Sequence, residues 1–309
     1  MSQITVLLAT YNGSKYVRQM IDSVLAQDFE DFHLVLSDDS SKDETPQILD
    51  EYAAMHPGKV THYRSGQRFG NAQNHFMHLL EKFHDTPYIM FCDQDDYWHP
   101  DKISKTLQKM QETEKPDLPV LVHTDLRVVD GVLQEMDPSF IHFSKLQGER
   151  LQLNQLLVQN VVTGCTVMMN RALAELACSH MPEGPILMHD WWLALIAAAM
   201  GAAAYLPEAT IDYRQHGNNT VGAKNTRSAS YIFKKIKNDG VKTAMAQTFA
   251  QAKVFDDCFG PMLDDQTRAT VRAYAAMTDQ NGFLRRINYI KYGFWKCGLQ
   301  RIAAQLLWG

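Results

Sequence analysis

Three carboxylates, Asp93, Asp95 and Asp96, follow directly on the apolar run Tyr88, Ile89, Met90, Phe91 and Cys92. The run is short and wholly apolar, as in a buried strand. Like charges this close repel and raise one another's pKa, so positive charge is expected where a strand end gathers them. Hard oxygen donors suit Mg²⁺ or Mn²⁺, and one or two carboxylates together with substrate phosphates is the usual Mg²⁺ arrangement. The structural alternative is an acidic turn capping the next helix.

Other polar groups stand at comparable places. Thr10, Tyr11, Asn12 and Gly13 close a mostly apolar run at 4–9. Backbone N–H groups at such a turn, with the helix N-terminus that follows, can hold a diphosphate; a plain strand-to-helix turn has the same residues. No G-x-G-x-x-G is present there, so a dinucleotide fingerprint is absent. Asp38 and Asp39 end a second run. A carboxylate there can accept from a pyrimidine N3–H or a ribose hydroxyl, or close an Asx turn. His189, Asp190, Trp191 and Trp192 precede an apolar helix. Asp190 fits a general base whose pKa the indoles raise, and equally an N-cap. Trp191 and Trp192 fit a sugar-stacking platform or the core. In the stretch 213–220, Arg214 can neutralise a diphosphate and His216 can ligate a metal or touch a phosphate; a loop histidine is also commonly just solvated.

The elements that must position these groups alternate. Strands are predicted at 4–9, 32–37, 60–64 and 88–92, with helices at 15–26, 43–55 and 71–82 between them. Such alternation means an α/β fold with a mostly parallel sheet flanked by helices, and ligands at the carboxyl ends of the strands. Further on, strands are predicted at 120–124, 161–170 and 203–206 and a helix at 190–200. Residues 126–146 read as loop with a hairpin at Asp130 and Gly131, and Gly164 suggests a close backbone approach. Past Gly222 the pattern turns helical, which divides the chain into 1–223 and a helical extension 224–309.

Charge follows the same division. The net charge is -5, but residues 224–309 hold 14 Lys and Arg against 6 Asp, a net of +8, and the remainder carries -13. The acidic body argues against nucleic-acid binding. No apolar stretch approaches the length that spans a bilayer, and the N-terminus, without a basic segment, predicts no signal peptide. Five scattered cysteines with no Cys-x-x-Cys pair point to reduced thiols in a cytoplasmic setting and away from zinc. The stretch 282–308 holds Arg285, Arg286, Lys291, Lys296 and Arg301 and no acid, with Ile287, Ile290, Phe294, Ile302, Leu306 and Leu307 largely at helical spacing. It fits a basic amphipathic helix lying on an anionic membrane, and equally a helix docked on the body by its apolar face.

Taken together, these motifs resemble the family 2 glycosyltransferases of GT-A fold over about the first 220 residues. LLATYNGSKYVRQMIDSVLAQDF is similar to that family's first strand, loop and helix, LVLSDDSSKDET to its second strand with nucleoside-binding aspartates, RFGNAQN to its donor-contacting helix start, and FCDQDDYW to its D-x-D metal motif. DQDDYW, HDWW and YRQHGNNTVG look most like bacterial rhamnosyltransferase-type members, which build cell-surface polysaccharide. The resemblance implies an inverting, metal-dependent transferase at the inner face of the plasma membrane, with Mn²⁺ or Mg²⁺ as cofactor. It favours dTDP-rhamnose as donor and a glycan or lipid-linked acceptor, and is compatible with a homodimer. Thr10, Tyr11, Asn12, Asp38, Asp39, Arg68, Asn74 and Asp93 would hold the nucleotide-sugar, Asp95 and His216 the metal, and Trp191 and Trp192 the acceptor. Asp190 would be the catalytic base. His189 stands where that family often has Glu.

Two other readings compete. A non-catalytic nucleotide-sugar-binding scaffold would have no need of Asp93, Asp95 and Asp190 together. A nucleotidyltransferase would show a glycine-rich basic loop after the first strand, and ATYNGSKY is poor in both.

Overall fold

A computed structural model describes residues 2–215 and 240–308 of the chain. Strands β1 (Ile4–Thr10), β2 (Phe32–Asp38), β3 (Val60–Tyr63) and β4 (Tyr88–Asp93) are parallel in the order β3-β2-β1-β4. Helices α1 (Val17–Leu25), α2 (Thr45–Met55) and α3 (Ala72–Lys82) connect them. The near-continuous apolar runs are explained by burial on both faces. Leu7, Ile89 and Phe91 enter one core, and Val6, Leu8, Met90 and Cys92 the other.

Register aligns the chemistry. Thr10 pairs with Asp38 across β1 and β2, and Ala9 pairs with Asp93 across β1 and β4. All three strands therefore end at one edge, where the strand order reverses and α/β sheets bind ligands.

The second half continues the sheet through β5 (Tyr97–Trp98), α4 (Lys102–Thr113), β6 (Val120–Val129), β7 (Glu135–Asp137), α5 (Phe140–Phe143), α6 (Leu153–Val158), β8 (Met168–Asn170), α7 (Arg171–Ser179), α8 (His189–Met200) and β9 (Ala202–Arg214). The full order is β3-β2-β1-β4-β8-β6-β9-β5, with β7 beside β6. Strands β5, β7 and β8 run against the rest.

Several expectations change here. Strand β6 continues to Val129, through residues read as loop. Its polar members are buried but satisfied: His123 bonds to the Gly148 carbonyl, Thr124 to Thr210, and Asp125 accepts from Ser139 and the Leu126 N–H. The hairpin at Asp130 and Gly131 does form, between β6 and β7. Strand β9 runs well past Leu206; the register with β6 shifts around Pro207, which has no N–H to give the ladder. The predicted strand at 161–170 is a 3₁₀ turn at Gly164–Thr166 followed by the short β8.

Beyond residue 240 come α9 (Gly240–Phe259), α10 (Asp265–Ala275), α11 (Gly282–Tyr292) and α12 (Leu299–Trp308). They share a core with the α/β body: Trp192 of α8 lies 5.4 Å from Phe255 and 5.9 Å from Phe259 between ring centroids. The boundary expected near residue 224 falls outside the described residues. The expected single helix over 282–308 is two helices, broken at Gly293, whose φ of 68° suits glycine. Phe294 does not join an outer apolar face; it is fully buried in the core. Among the described residues no helix is long and apolar enough to cross a membrane.

Candidate active site

Three loops meet at the carboxyl edge of the sheet and are stitched together. Gln94 accepts from the Tyr11 N–H at 2.8 Å and donates to the Tyr11 carbonyl at 3.0 Å. Ser41 accepts from the Asn12 N–H, and Asn12 Oδ1 accepts from the Lys42 N–H. Asn12 has φ of 49°, in the left-handed region that asparagine tolerates. Thr10 Oγ1 donates to Asp38 at 2.9 Å, and Asp38 also accepts from the Ser41 N–H at 2.8 Å. Asp38 thus closes an Asx turn while standing at the site edge.

Asp39 is buried and accepts from the Phe69 and Gly70 N–H groups. It holds the segment that carries Arg68, whose guanidinium lies 5.8 Å from the Tyr11 ring centre. Asn71 caps α3 by accepting from the Asn74 N–H at 2.8 Å, leaving Asn74 exposed. Thr10, Tyr11, Asn12, Asp38, Asp39, Arg68 and Asn74 therefore belong to one cluster of interlocked loops.

The acidic strand end carries strong electrostatic tension. Burial, then Asp95, then Asp190 push the Asp93 carboxyl up to about 7. Burial with Asp95 and Asp93 drives Asp96 well above the carboxylate range. Asp93, Asp96 and Cys165 offer ligand atoms within 4.8 Å of one another. That trio suits a hard cation poorly: burial holds the Cys165 thiol neutral, and Asp96 has no exposed surface. Asp93 and Asp95 are part-exposed at the loop edge. A divalent cation beside them would relieve the repulsion that raises Asp93, so the donor set fits Mg²⁺ or Mn²⁺. His216 lies outside the described residues.

Arg214 is taken up by contacts within the protein. It is 2% exposed, its Nε donates to the Asp95 carbonyl, Nη1 to Gly131 and Nη2 to Gln19, and its guanidinium covers the Tyr16 ring at 4.5 Å. It clamps the loop that carries the carboxylates.

Asp190 is the second residue of α8, whose N-cap is Met188. Its Oδ1 accepts from the Trp191 N–H at 2.6 Å and from Asn160 Nδ2 at 3.3 Å, and the Gly164 main chain adds a further bond. These donors favour the carboxylate, yet burial outweighs them and lifts Asp190 to about 7. The approach of Gly164 expected from sequence is realised: a Cβ there would lie 2.8 Å from His189 Nε2 and 3.8 Å from Asp190 Cβ. His189 stacks on Phe76 at 4.8 Å and meets Phe91 edge-on at 5.2 Å, and burial lowers its pKa to about 3. It is a neutral aromatic filler behind Asp190.

The tryptophans part company. Trp191 is half-buried and donates Nε1 to the Leu156 carbonyl. Trp192 has no exposed surface. It has no face to offer a sugar, which corrects its expected acceptor role. Sequence reading missed Gln94, Asn160 and Ser41, which orient the loops and Asp190.

A mostly parallel sheet flanked by helices, with clustered acids at its switch edge and the buried Asp190 carboxyl near Asp93, has the layout of the GT-A fold. The fold agrees with solved structures: S. aureus TarS with UDP-GlcNAc matches at a TM-score of 0.59 and 16% identity, over 99% of this chain and 78% of that one. The Pyrobaculum calidifontis mannosyltransferase with GDP-Man and Mn²⁺ matches at 0.54 and 17%, over 99% of this chain and 87% of that one. The profile of glycosyl transferase family 2 covers residues 5–176, and the chain belongs to that family. It is 27% identical over 232 residues to the dTDP-rhamnosyl transferase RfbG of Shigella flexneri, across 72% of this chain and 76% of that protein. It is also 29% identical over 222 residues to the uncharacterized Rv1520 of Mycobacterium tuberculosis, of which the match spans only 59%. The chain is a glycosyltransferase.

Proposed function

We propose that the chain transfers rhamnose from dTDP-rhamnose to a hydroxyl of a cell-surface or lipid-linked glycan, at the inner face of the plasma membrane, with inversion at the anomeric carbon. The donor assignment draws on the likeness to the Shigella dTDP-rhamnosyl transferase. Thr10, Tyr11, Asn12, Asp38, Asp39, Arg68 and Asn74 hold the nucleotide-sugar, with Asp93 on the ribose. Mn²⁺ or Mg²⁺, bound by Asp95 with His216, would offset the negative charge that develops on the leaving diphosphate. Trp191 borders the acceptor.

The observation that carries this reading is the Asp190 carboxyl, held by the Trp191 N–H and Asn160 at the start of α8 near Asp93, and pushed up by burial to about 7. A base poised near neutrality takes the acceptor hydroxyl proton as that oxygen attacks the face opposite the diphosphate. An acceptor hydroxyl replaces the water of an inverting glycosidase.

The test is Asp190→Asn with dTDP-rhamnose and Mn²⁺ or Mg²⁺. Transfer is expected to fall by about 10³-fold or more while donor still raises the melting temperature. Full transfer by that variant would remove Asp190 from the mechanism. Donor binding by the wild type without transfer to any acceptor would favour the scaffold reading.

A further inference from the structure

Helix α11 turns its apolar side outward. Phe283, Leu284, Ile287 and Ile290 are 70%, 45%, 45% and 74% exposed, whereas Tyr289 is buried. Their spacing places them in one stripe, with Lys291 inside it and Arg286 at its edge. A helix that only docks on a protein body shows the reverse pattern.

On its Arg286 side the stripe borders a groove of about 470 Å³ between α9, α11 and α12, lined by Lys242 and Arg286, with Arg285, Phe249 and Leu307 farther along it. Arg285 donates to the Met277 and Thr278 carbonyls, and Arg286 to the Leu306 carbonyl. Those partners are neutral; Arg285 also covers the Phe249 ring at 5.4 Å on the side of α11 away from the stripe, whereas Lys242 and Arg286 are exposed cations. No acidic residue follows Asp279 in the chain. Leu307, 67% exposed, extends the apolar rim.

We infer that this face rests on an anionic lipid bilayer. The α11 stripe enters the boundary between headgroups and acyl chains, and the groove cations take lipid phosphates. A second copy is a poorer occupant, because a two-fold contact would set the same cations against one another. The inference stands on this surface alone and does not depend on the donor or base assigned above.

The test is co-sedimentation of the full chain with vesicles of phosphatidylcholine, alone or with about one third phosphatidylglycerol. Binding is expected to be at least tenfold stronger to the anionic vesicles and to weaken with salt. Phe283→Ser/Ile287→Ser/Ile290→Ser, and separately Lys242→Glu/Lys291→Glu, should each reduce it roughly tenfold or more, with unchanged thermal melting. Absent binding, equal binding to both vesicles, or binding unaffected by either variant would overturn the assignment. So would loss of a dimer in the variants without any vesicle binding by the wild type, which would make the face a self-association surface.

Discussion

Arg214 donates through Nε to the Asp95 main-chain carbonyl at 2.8 Å, and its own N–H reaches the Asp96 carboxylate at 3.3 Å. The last residue of β9 thereby fixes the loop between β4 and β5. Arg214→Met keeps the bulk and removes the donors. It should cost about 2–4 kcal/mol, since buried acceptors lose their partners. It should also raise the Mn²⁺ concentration needed for half-maximal transfer. Urea unfolding and a metal titration measure the two effects; a metal requirement unchanged by the substitution would limit Arg214 to a stability role.

Gly164→Ala probes the wall behind the proposed base, Asp190. The new Cβ would press on His189 at 2.8 Å, and His189 is itself wedged between Phe76 and Phe91. Overpacking of this kind costs about 1–3 kcal/mol, and a small displacement of a catalytic group costs on the order of tenfold or more in rate. kcat should fall with little change in donor affinity. Adding His189→Ala makes room for the methyl and should recover part of kcat.

The parallel half of the fold was legible because β1, β2 and β4 are near-continuous apolar runs and α1 has a clear helical period. Helix α4 went unpredicted, although Ile103, Leu107 and Met110 lie buried at helical spacing. Strand β6 was harder, because His123, Thr124 and Asp125 look like loop residues until their buried partners are known. At the site, motif order points to Asp93 and Asp190. Nothing local to Arg214 or Trp192 distinguishes a clamp from a phosphate ligand or a core ring from a sugar platform. Those outcomes depend on contacts made with residues far away in the chain, Gln19 for the one and Phe255 for the other.

Trp192→Ala separates core from site. The ring is fully buried against Phe255 and Phe259, so truncation should cost about 3–5 kcal/mol. At temperatures where the variant remains folded, the KM for acceptor should stay within about twofold of wild type, because the lost contacts are internal. Steady-state kinetics below the new Tm decide the matter. A large acceptor KM change would return Trp192 to the sugar site.

The pH dependence carries a sign for both activity and stability. As the proposed base, Asp190 must be ionised to accept a proton, so kcat/KM should rise with pH through about 7, where burial holds its pKa. Asn160 donates to the same carboxylate and favours its charged form. Asn160→Ala should therefore move the acidic limb to higher pH. Stability follows the opposite course: a folded pKa raised above the unfolded one contributes fully at pH below the unfolded value and is lost as pH rises through the folded one. Asp190→Asn, which never ionises, should thus be more stable than wild type at pH 8, by up to a few kcal/mol, and gain little at pH 5. Thermal melting of both proteins across that range tests the sign. A variant destabilised equally at both pH values would mean that Asp190 is not strained by its burial.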